Sequence, residues 1–201
     1  MIALIDYGAG NLTSVKKALT ALGADFIVPS TAEECRGVSG LIVPGVGHFS
    51  STTALDAPWR QAVGDALQAG TPLLGICVGM QWLFDGSDEA PDVPGLGALS
   101  GRCRLLKGNT ELRLKVPHVG WNALELPRAS RLLAGLSSGA YVYFTHSFAA
   151  PVTADCVAST THEESFAAAV ERDGVFGVQF HPEKSGEAGL QVLRNYLRLC
   201  N

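Results

Sequence analysis

The sequence predicts an α/β fold, with an open, mostly parallel sheet flanked by helices and additional antiparallel strands in the second half. Two observations support this prediction. In the first half, short apolar strands alternate with amphipathic helices, whereas the second half contains successive strands separated by short turns. Near-continuous apolar strands joined through helices are typical of a parallel sheet covered on both faces.

The first half predicts an alternating series of strands and helices. Val15, Leu19 and Leu22 recur at helical spacing, which predicts one apolar helix face after the first strand. The predicted elements are strand Ile2–Tyr7, helix Leu12–Leu22, strands Phe26–Val28 and Gly40–Val43, helix Trp59–Ala69, strand Leu73–Cys77 and a helix starting within Met80–Phe84. Reactive groups are expected at the carboxyl ends of such parallel strands.

The second half predicts strands with short connections. They are Gly97–Leu106, Trp121–Leu126, Tyr141–Phe148, Cys156–Ser159, Phe166–Arg172 and Val175–Phe180, followed by a closing helix, Ala188–Leu199. Asp173 and Gly174 suit the tight turn of a hairpin between the last two strands. No linker or repeat interrupts the chain, so residues 1–201 are interpreted as one domain.

Composition excludes several classes of function. The formal net charge is −4 and no stripe of Lys and Arg occurs, which argues against nucleic-acid binding. No apolar run approaches the ~20 residues of a membrane span, and the first strand lacks the features of a signal peptide. We therefore expect a cytoplasmic protein. The five cysteines form no C-x-x-C pair, so no metal site is predicted and free thiols are expected.

The segment from Gly75 to Gln81 predicts a cysteine nucleophile on a sharp strand-to-helix turn. Gly75 and Gly79 flank Cys77 at i−2 and i+2, as glycines flank the serine of a nucleophile elbow. Neighbours without Cβ atoms let the backbone fold tightly there. The alternative interpretation is that Cys77 is an ordinary core residue of an apolar strand.

Among the five histidines, His181 has the strongest context for an acid–base group. It closes an apolar strand, and Glu183 lies two residues on, so in an extended backbone both side chains point the same way. Cys77, His181 and Glu183 are therefore predicted as nucleophile, acid–base group and orienting carboxylate. A strand-terminating turn is the alternative for His181 to Glu183. His48, His118 and His162 are interpreted as surface or structural residues.

A thiolate that attacks a carbonyl also needs donors for the developing oxyanion. The backbone amide of Val78, directly after the nucleophile, is one candidate. The second is expected in Pro44-Gly45-Val46-Gly47, because two glycines around one residue allow a peptide to turn its N–H inward. An ordinary turn at the end of a strand is the alternative for that segment.

Taken together, these motifs resemble the class I (triad) glutamine amidotransferases over nearly the whole chain. The matching segments are Gly75–Gln81, Gly177–Glu183 and Pro44–Gly47, in the order of the family. Within the family, three finer motifs are similar to the glutaminase subunits of imidazole glycerol phosphate synthases, namely Asp6–Leu12, Pro117–Asn122 and His181–Ser185.

The resemblance implies a flavodoxin-like fold and a glutaminase activity without a cofactor. Cys77 would attack the glutamine side-chain amide and form a thioester, with His181 as acid and then base. The family's oxyanion amides map to Val78 and, after a peptide flip, to Val46. The positions that map to the glutamine-binding segments are Gly45, Gly47, Gln81, His146, Ser147 and Phe148.

The resemblance also implies a partner. Ammonia would pass through a channel to a cyclase subunit, a (β/α)₈ barrel that forms a heterodimer with this chain. That subunit produces imidazole glycerol phosphate and aminoimidazole carboxamide ribotide in histidine biosynthesis. Asn11, Trp121 and Lys184 lie in the finer motifs and are the predicted interface residues.

Three other functions stay open on the sequence alone. The chain can be the glutaminase subunit of another amidotransferase, such as pyridoxal phosphate synthase, although Pro117–Asn122 weighs against this. It can be a cysteine hydrolase of the γ-glutamyl type, which shares the fold and the elbow. A non-catalytic binding module on the same scaffold is the third.

Overall fold

The computed structural model describes residues 1–10 and 12–201. The first half contains β1 (Ile2–Leu4), α1 (Leu12–Ala21), β2 (Phe26–Ile27), β3 (Gly40–Val43), α2 (Ala57–Gln68), β4 (Leu73–Ile76) and α3 (Val78–Trp82). The second half contains β5 (Gly86–Ser87), β6 (Ala90–Pro94), β7 (Arg102–Leu105), β8 (His118–Ala123), β9 (Tyr141–His146), β10 (Phe148–Ala149), β11 (Cys156–His162), β12 (Glu164–Arg172), β13 (Val175–Val178) and α4 (Gly186–Leu199).

Within these two ranges, seven strands form the main sheet in the order β11-β12-β13-β4-β3-β1-β2. The five strands from β13 to β2 run parallel, and β12 and β11 extend the sheet antiparallel beside β13. This arrangement confirms the predicted fold class. In the register of the sheet, Gly75 of β4 lies between Val43 of β3 and Gly177 of β13. The carboxyl ends of these three strands therefore lie next to one another.

The core lies on both faces of this sheet. Every residue of β1, β3, β4 and β13 is buried, as expected for strands covered on two sides. The closing helix α4 is anchored by Tyr196, whose buried hydroxyl lies 2.6 Å from the Leu41 carbonyl oxygen and 2.9 Å from that of Pro72. These two hydrogen bonds join α4 to β3 and to the residue that precedes β4.

The predicted hairpin is confirmed. Arg172 of β12 pairs with Val175 of β13, so only Asp173 and Gly174 connect the two strands. Asp173 has φ +52°, a left-handed conformation that Asp tolerates better than most residues. The tight turn places β13 antiparallel to β12 and parallel to β4.

Several predicted strand boundaries are wrong. The strand predicted over Gly97–Leu106 begins only at Arg102, because Gly97 and Gly101 have φ of +72° and +115°. The strand predicted over Trp121–Leu126 is instead His118–Ala123. The predicted strand Tyr141–Phe148 divides into β9 and β10 at Ser147, and the strand predicted to end at Phe180 ends at Val178.

The short β5 and β6 were not predicted. They carry no alternating apolar pattern, and β6 includes Pro91 and Pro94. Together with β7 and β10 they form a small four-stranded sheet, while β8 and β9 pair separately. In the described part of the chain, no helix has both the length and the apolar character required to cross a bilayer.

Candidate active site

The candidate site is built around the turn between β4 and α3. Cys77 occupies this turn with φ +54° and ψ −110°, a conformation that non-glycine residues rarely adopt. A Cβ on Gly75 would lie 2.7 Å from the Met80 amide nitrogen, and one on Gly79 would lie 2.8 Å from the Val43 carbonyl carbon. Both positions therefore require glycine, and the strained residue between them is the one that the sequence predicts as nucleophile.

Cys77 is held by its backbone and surrounded by polar groups. Its amide donates to the Val178 carbonyl at 2.8 Å, and its side chain is almost fully buried. The sulfur lies 3.6 Å from Nε2 of Gln179 and 3.9 Å from the carbonyl oxygen of Thr145. The thiol thus lies between one amide donor and one carbonyl acceptor.

His181 and Glu183 meet, as the sequence predicts, but on a different backbone. Nδ1 of His181 lies 2.9 Å from Oε1 of Glu183, and both side chains are buried. The expected extended geometry is wrong, because Pro182–Lys184 forms a 3₁₀ turn, which suits the fixed φ of proline. Since a carboxylate only accepts, Nδ1 carries the proton in the neutral ring. Nε2 has no hydrogen-bond partner among residues 1–10 and 12–201.

The electrostatics couple His181 to Cys77. Burial by itself lowers the pKa of His181, but interaction with Cys77 and then with Glu183 outweighs it and raises the pKa to about 10. The imidazole is therefore expected to be protonated at neutral pH. An imidazolium next to a buried sulfur stabilises a thiolate, and its proton can later be given to a leaving group.

The two predicted oxyanion amides do not converge in this conformation. The Val78 N–H points at the Gly45 carbonyl oxygen, with an N···O distance of 3.4 Å. In a trans peptide the N–H and C=O point in opposite directions, so the Val46 N–H faces away from Val78. The Val46 nitrogen lies close to Gly10, where an added Cβ would be 3.2 Å from it.

A small cavity of about 30 Å³ opens beside the sulfur. That is the share of one water molecule in the liquid, so a larger ligand requires the walls to move. The cavity is lined by Gly47, Cys77, Val78, Gln81, Glu89, Thr145, His146, Ser147 and Phe148. Five of the six predicted glutamine-binding positions are among them, namely Gly47, Gln81, His146, Ser147 and Phe148, whereas Gly45 is not.

Glu89 and Thr145 were missed by the sequence analysis. Glu89 follows the unpredicted β5, and its carboxylate accepts the Phe49 N–H at 2.7 Å. Thr145 contributes its backbone carbonyl, which no side-chain pattern reveals. Among the other lining residues, Nε2 of Gln81 donates to the Phe148 carbonyl at 2.8 Å, and its Oε1 is buried without a partner in the described residues.

A cluster of buried histidines supports His146 from behind. Nδ1 of His146 donates to the Phe148 carbonyl at 2.9 Å, and its Nε2 lies 3.1 Å from Nδ1 of His118. His118 stacks on Phe144 and His162. Burial is the largest cause that lowers the pKa of His146 to about 3 and that of His118 to about 4, so both rings are neutral.

The predicted interface residues lie near this site where the structure describes them. Trp121 is 54% exposed and meets Tyr143 edge to face. Lys184 is exposed, with Nζ 5.8 Å from the centre of the Tyr143 ring. The Tyr143 carbonyl also accepts the His181 N–H at 2.9 Å, which ties this surface to the predicted acid–base group. Asn11 lies outside the described residues.

Over the described ranges, no group of three or more His, Cys, Asp or Glu side chains is placed to hold a metal ion. The five cysteines are buried and unpaired.

Comparisons with known proteins agree with this arrangement. The chain is 47% identical over 203 residues to the imidazole glycerol phosphate synthase subunit HisH of Geobacillus thermodenitrificans, covering 98% of this chain and 95% of the relative. It is 42% identical over 205 residues to the subunit of the same name from Thermococcus kodakarensis, covering 99% and 100%.

Among solved structures, a glutamine amidotransferase superposes with a TM-score of 0.74 at 20% identity, covering 100% of this chain and 99% of the other. This likeness shows the fold alone. The model of the family "Glutamine amidotransferase class-I" matches residues 3–199. With this match and the identity to curated relatives, the chain belongs to the class I glutamine amidotransferases.

Proposed function

We propose that this protein is the glutaminase subunit of imidazole glycerol phosphate synthase. It hydrolyses glutamine to glutamate and ammonia in one glutamine amidotransferase domain, residues 1–201, and needs no cofactor. The observation that carries the proposal is the strained Cys77, coupled electrostatically to a buried His181 whose other ring nitrogen lies 2.9 Å from Glu183. The names of its relatives support the choice of synthase.

The proposed reaction uses the three side chains in sequence. The Cys77 thiolate attacks the side-chain carbonyl carbon of glutamine and forms a tetrahedral oxyanion. His181 gives its Nε2 proton to the amide nitrogen, so the C–N bond breaks, ammonia leaves and a thioester remains. The neutral imidazole then takes a proton from water, whose oxygen attacks the thioester and releases glutamate. Glu183 holds the ring in the required orientation.

The oxyanion site is proposed to form only after the peptide between Gly45 and Val46 rotates. In the present orientation the Val78 N–H is directed at the Gly45 carbonyl oxygen. Rotation would free the Val78 N–H and turn the Val46 N–H toward the Cys77 sulfur. This rotation changes ψ of Gly45 and φ of Val46, and a glycine at position 45 tolerates a wide range of backbone angles. Binding of the acceptor substrate to the partner is proposed to favour the rotated state.

The cavity walls offer suitable partners for glutamine. The buried, unpartnered Oε1 of Gln81 is an acceptor for a ligand N–H, and the Glu89 carboxylate suits an ammonium group. Backbone at Gly45 and Gly47 and the segment from His146 to Phe148 would complete the pocket. Because the cavity holds only about 30 Å³, the same movement that forms the oxyanion site is proposed to admit the substrate.

The partner is proposed to be the cyclase subunit, a (β/α)₈ barrel, bound as a heterodimer. An exposed apolar surface suits this role, since Val119, Trp121 and Tyr141 of β8 and β9 are 57%, 54% and 62% exposed. Lys184 lies beside this surface. Asn11 is proposed as a contact together with Trp121 and Lys184. A barrel seated here would receive ammonia through a channel in a dry path, before protonation removes the lone pair.

The ammonia is then proposed to yield imidazole glycerol phosphate and aminoimidazole carboxamide ribotide in histidine biosynthesis. The unpaired cysteines suit a reducing compartment, and we propose the cytoplasm.

Ammonia release from glutamine by the purified chain, alone and with the cyclase and its acceptor substrate, tests the proposal. We expect little release alone, strong release in the full mixture, and none with Cys77→Ala, which should still bind the barrel. Glu183→Gln should slow the reaction less than His181→Ala, because the base remains. Equal rates with and without the barrel would reject the coupling.

Two changes to the components of the assay test the other candidate functions. Exchanging the cyclase for the barrel of pyridoxal phosphate synthase asks which partner activates the chain. Offering γ-glutamyl peptides in place of glutamine asks whether it is a general hydrolase. Faster turnover in either case would replace the proposed function.

A further inference from the structure

Gln179 is a buried polar residue that the proposed reaction does not use. It follows β13, is completely buried, and donates its backbone N–H to the Ala168 carbonyl at 2.9 Å. Its side-chain amide lies between Gln81 and Cys77, with Oε1 3.2 Å from Nε2 of Gln81 and Nε2 3.6 Å from the Cys77 sulfur. Buried amides are retained where their groups are satisfied.

The direction of this amide follows from its neighbours. The Phe148 carbonyl can only accept, so Gln81 must present its NH₂ group there, at 2.8 Å. The same NH₂ group faces Gln179, which must therefore turn its oxygen toward Gln81. That leaves the NH₂ group of Gln179 directed at the sulfur of Cys77. The Phe148 carbonyl thus fixes the orientation of the Gln81 amide, and Gln81 in turn fixes that of Gln179.

The surroundings of the sulfur make this donor chemically relevant. The Thr145 carbonyl, 3.9 Å from the sulfur, can accept a thiol S–H but opposes a thiolate. His181 favours the thiolate, and the Gln179 N–H is a second group that does so.

We propose that Gln179 is a positioning residue that donates an N–H···S hydrogen bond to Cys77 and holds its thiolate form in place for attack. The proposal rests on the proposed function, because it takes Cys77 as the nucleophile. Loss of a hydrogen bond to a charged group typically changes an equilibrium by roughly tenfold to hundredfold.

Alkylation of Cys77 by iodoacetamide across a range of pH, quantified by peptide mass spectrometry, tests the contact without glutamine. We compare the whole chain with Gln179→Met, which keeps the length but removes the donor. Where the wild-type rate still rises with pH, the variant should react about tenfold more slowly, because its rate profile moves to higher pH. Its kcat for glutamine should fall by a similar factor.

Two further variants keep the test sharp. Gln179→Asn keeps a polar amide in the core but withdraws it from the sulfur, and should show the same shift. The control Thr160→Val also removes a buried hydrogen bond, from Oγ1 to the Ala123 carbonyl at 2.7 Å, and should leave the alkylation profile unchanged. A wild-type profile in both Gln179 variants would overturn the proposal.

Failure of the proposed function is a separate outcome. It would appear as absence of ammonia release by the wild-type chain with its barrel, whereas the alkylation profile still reports on the contact between Gln179 and Cys77.

Discussion

Replacing His146 by glutamine tests the buried histidine cluster through protein stability. In the folded chain, the pKa of His146 is lowered to about 3 from the ordinary value of 6.5, chiefly by burial. Between these values the unfolded chain binds a proton that the folded chain does not. Acid therefore favours unfolding over this window, and His146→Gln should remove that contribution.

The magnitude follows from the linkage between protonation and folding. Each pH unit within the window corresponds to about 1.4 kcal/mol for one proton. At about pH 5, a histidine that titrates near pH 6.5 only when unfolded lowers the free energy of unfolding by about 2 kcal/mol relative to pH 8. The carboxylates titrate in both proteins and cancel in the difference.

Urea unfolding followed by tryptophan fluorescence measures this difference at several pH values. At pH 8 the stability gap between wild type and His146→Gln reports the lost contacts of the ring, including its bond to the Phe148 carbonyl. From pH 8 to about pH 5 the gap should narrow by about 2 kcal/mol. A gap that stays constant over this range would show that the folded ring takes up its proton as readily as the unfolded one.

Two other substitutions test close packing near the site. Gly79→Ala should lower the free energy of unfolding by about 3 kcal/mol or more, because the new Cβ meets the Val43 carbonyl. Gly64→Ala in α2, where a Cβ meets nothing, should raise it by about 0.5–1 kcal/mol. Thermal unfolding of both variants measures this, and similar shifts in the two would contradict the packing argument. Tyr7→Phe removes a buried hydroxyl that has no partner in the described residues. The urea midpoint of the variant should therefore equal that of the wild type or exceed it by an amount equivalent to about 1 kcal/mol. A clear fall in the midpoint would show that the hydroxyl has a partner.

The fold could be predicted because its signals are local. Alternating apolar strands and helices, and the Asp173-Gly174 turn, each occupy a few neighbouring residues, and the structure contains them. Strand ends were predicted less well, since the ends of β7 and β9 depend on backbone conformations at glycines and on partners far along the chain. The divided strand at Ser147 is one such case.

The candidate site could be predicted only in part, for a related reason. The positions of Cys77, His181 and Glu183 follow from local motifs at strand ends, and the structure brings these elements together. Gln179 and Glu89 have no local signal, because their meaning arises from contacts across the fold. The orientation of the peptide after Gly45 was equally beyond the sequence, since flanking glycines permit either direction.

The two faces of β8 connect the proposed partner surface to the candidate site. Side chains alternate along a strand, so Val119 and Trp121 point outward while His118 and Asn122 lie on the other face. Nδ2 of Asn122 lies 3.4 Å from Nε2 of His118, whose Nδ1 meets His146 in the cavity wall. A partner that pressed on Trp121 would therefore act on β8, whose His118 contacts His146 of β9. The polar residues of β8 thus support the wall of the cavity, and its apolar residues lie on the exposed surface.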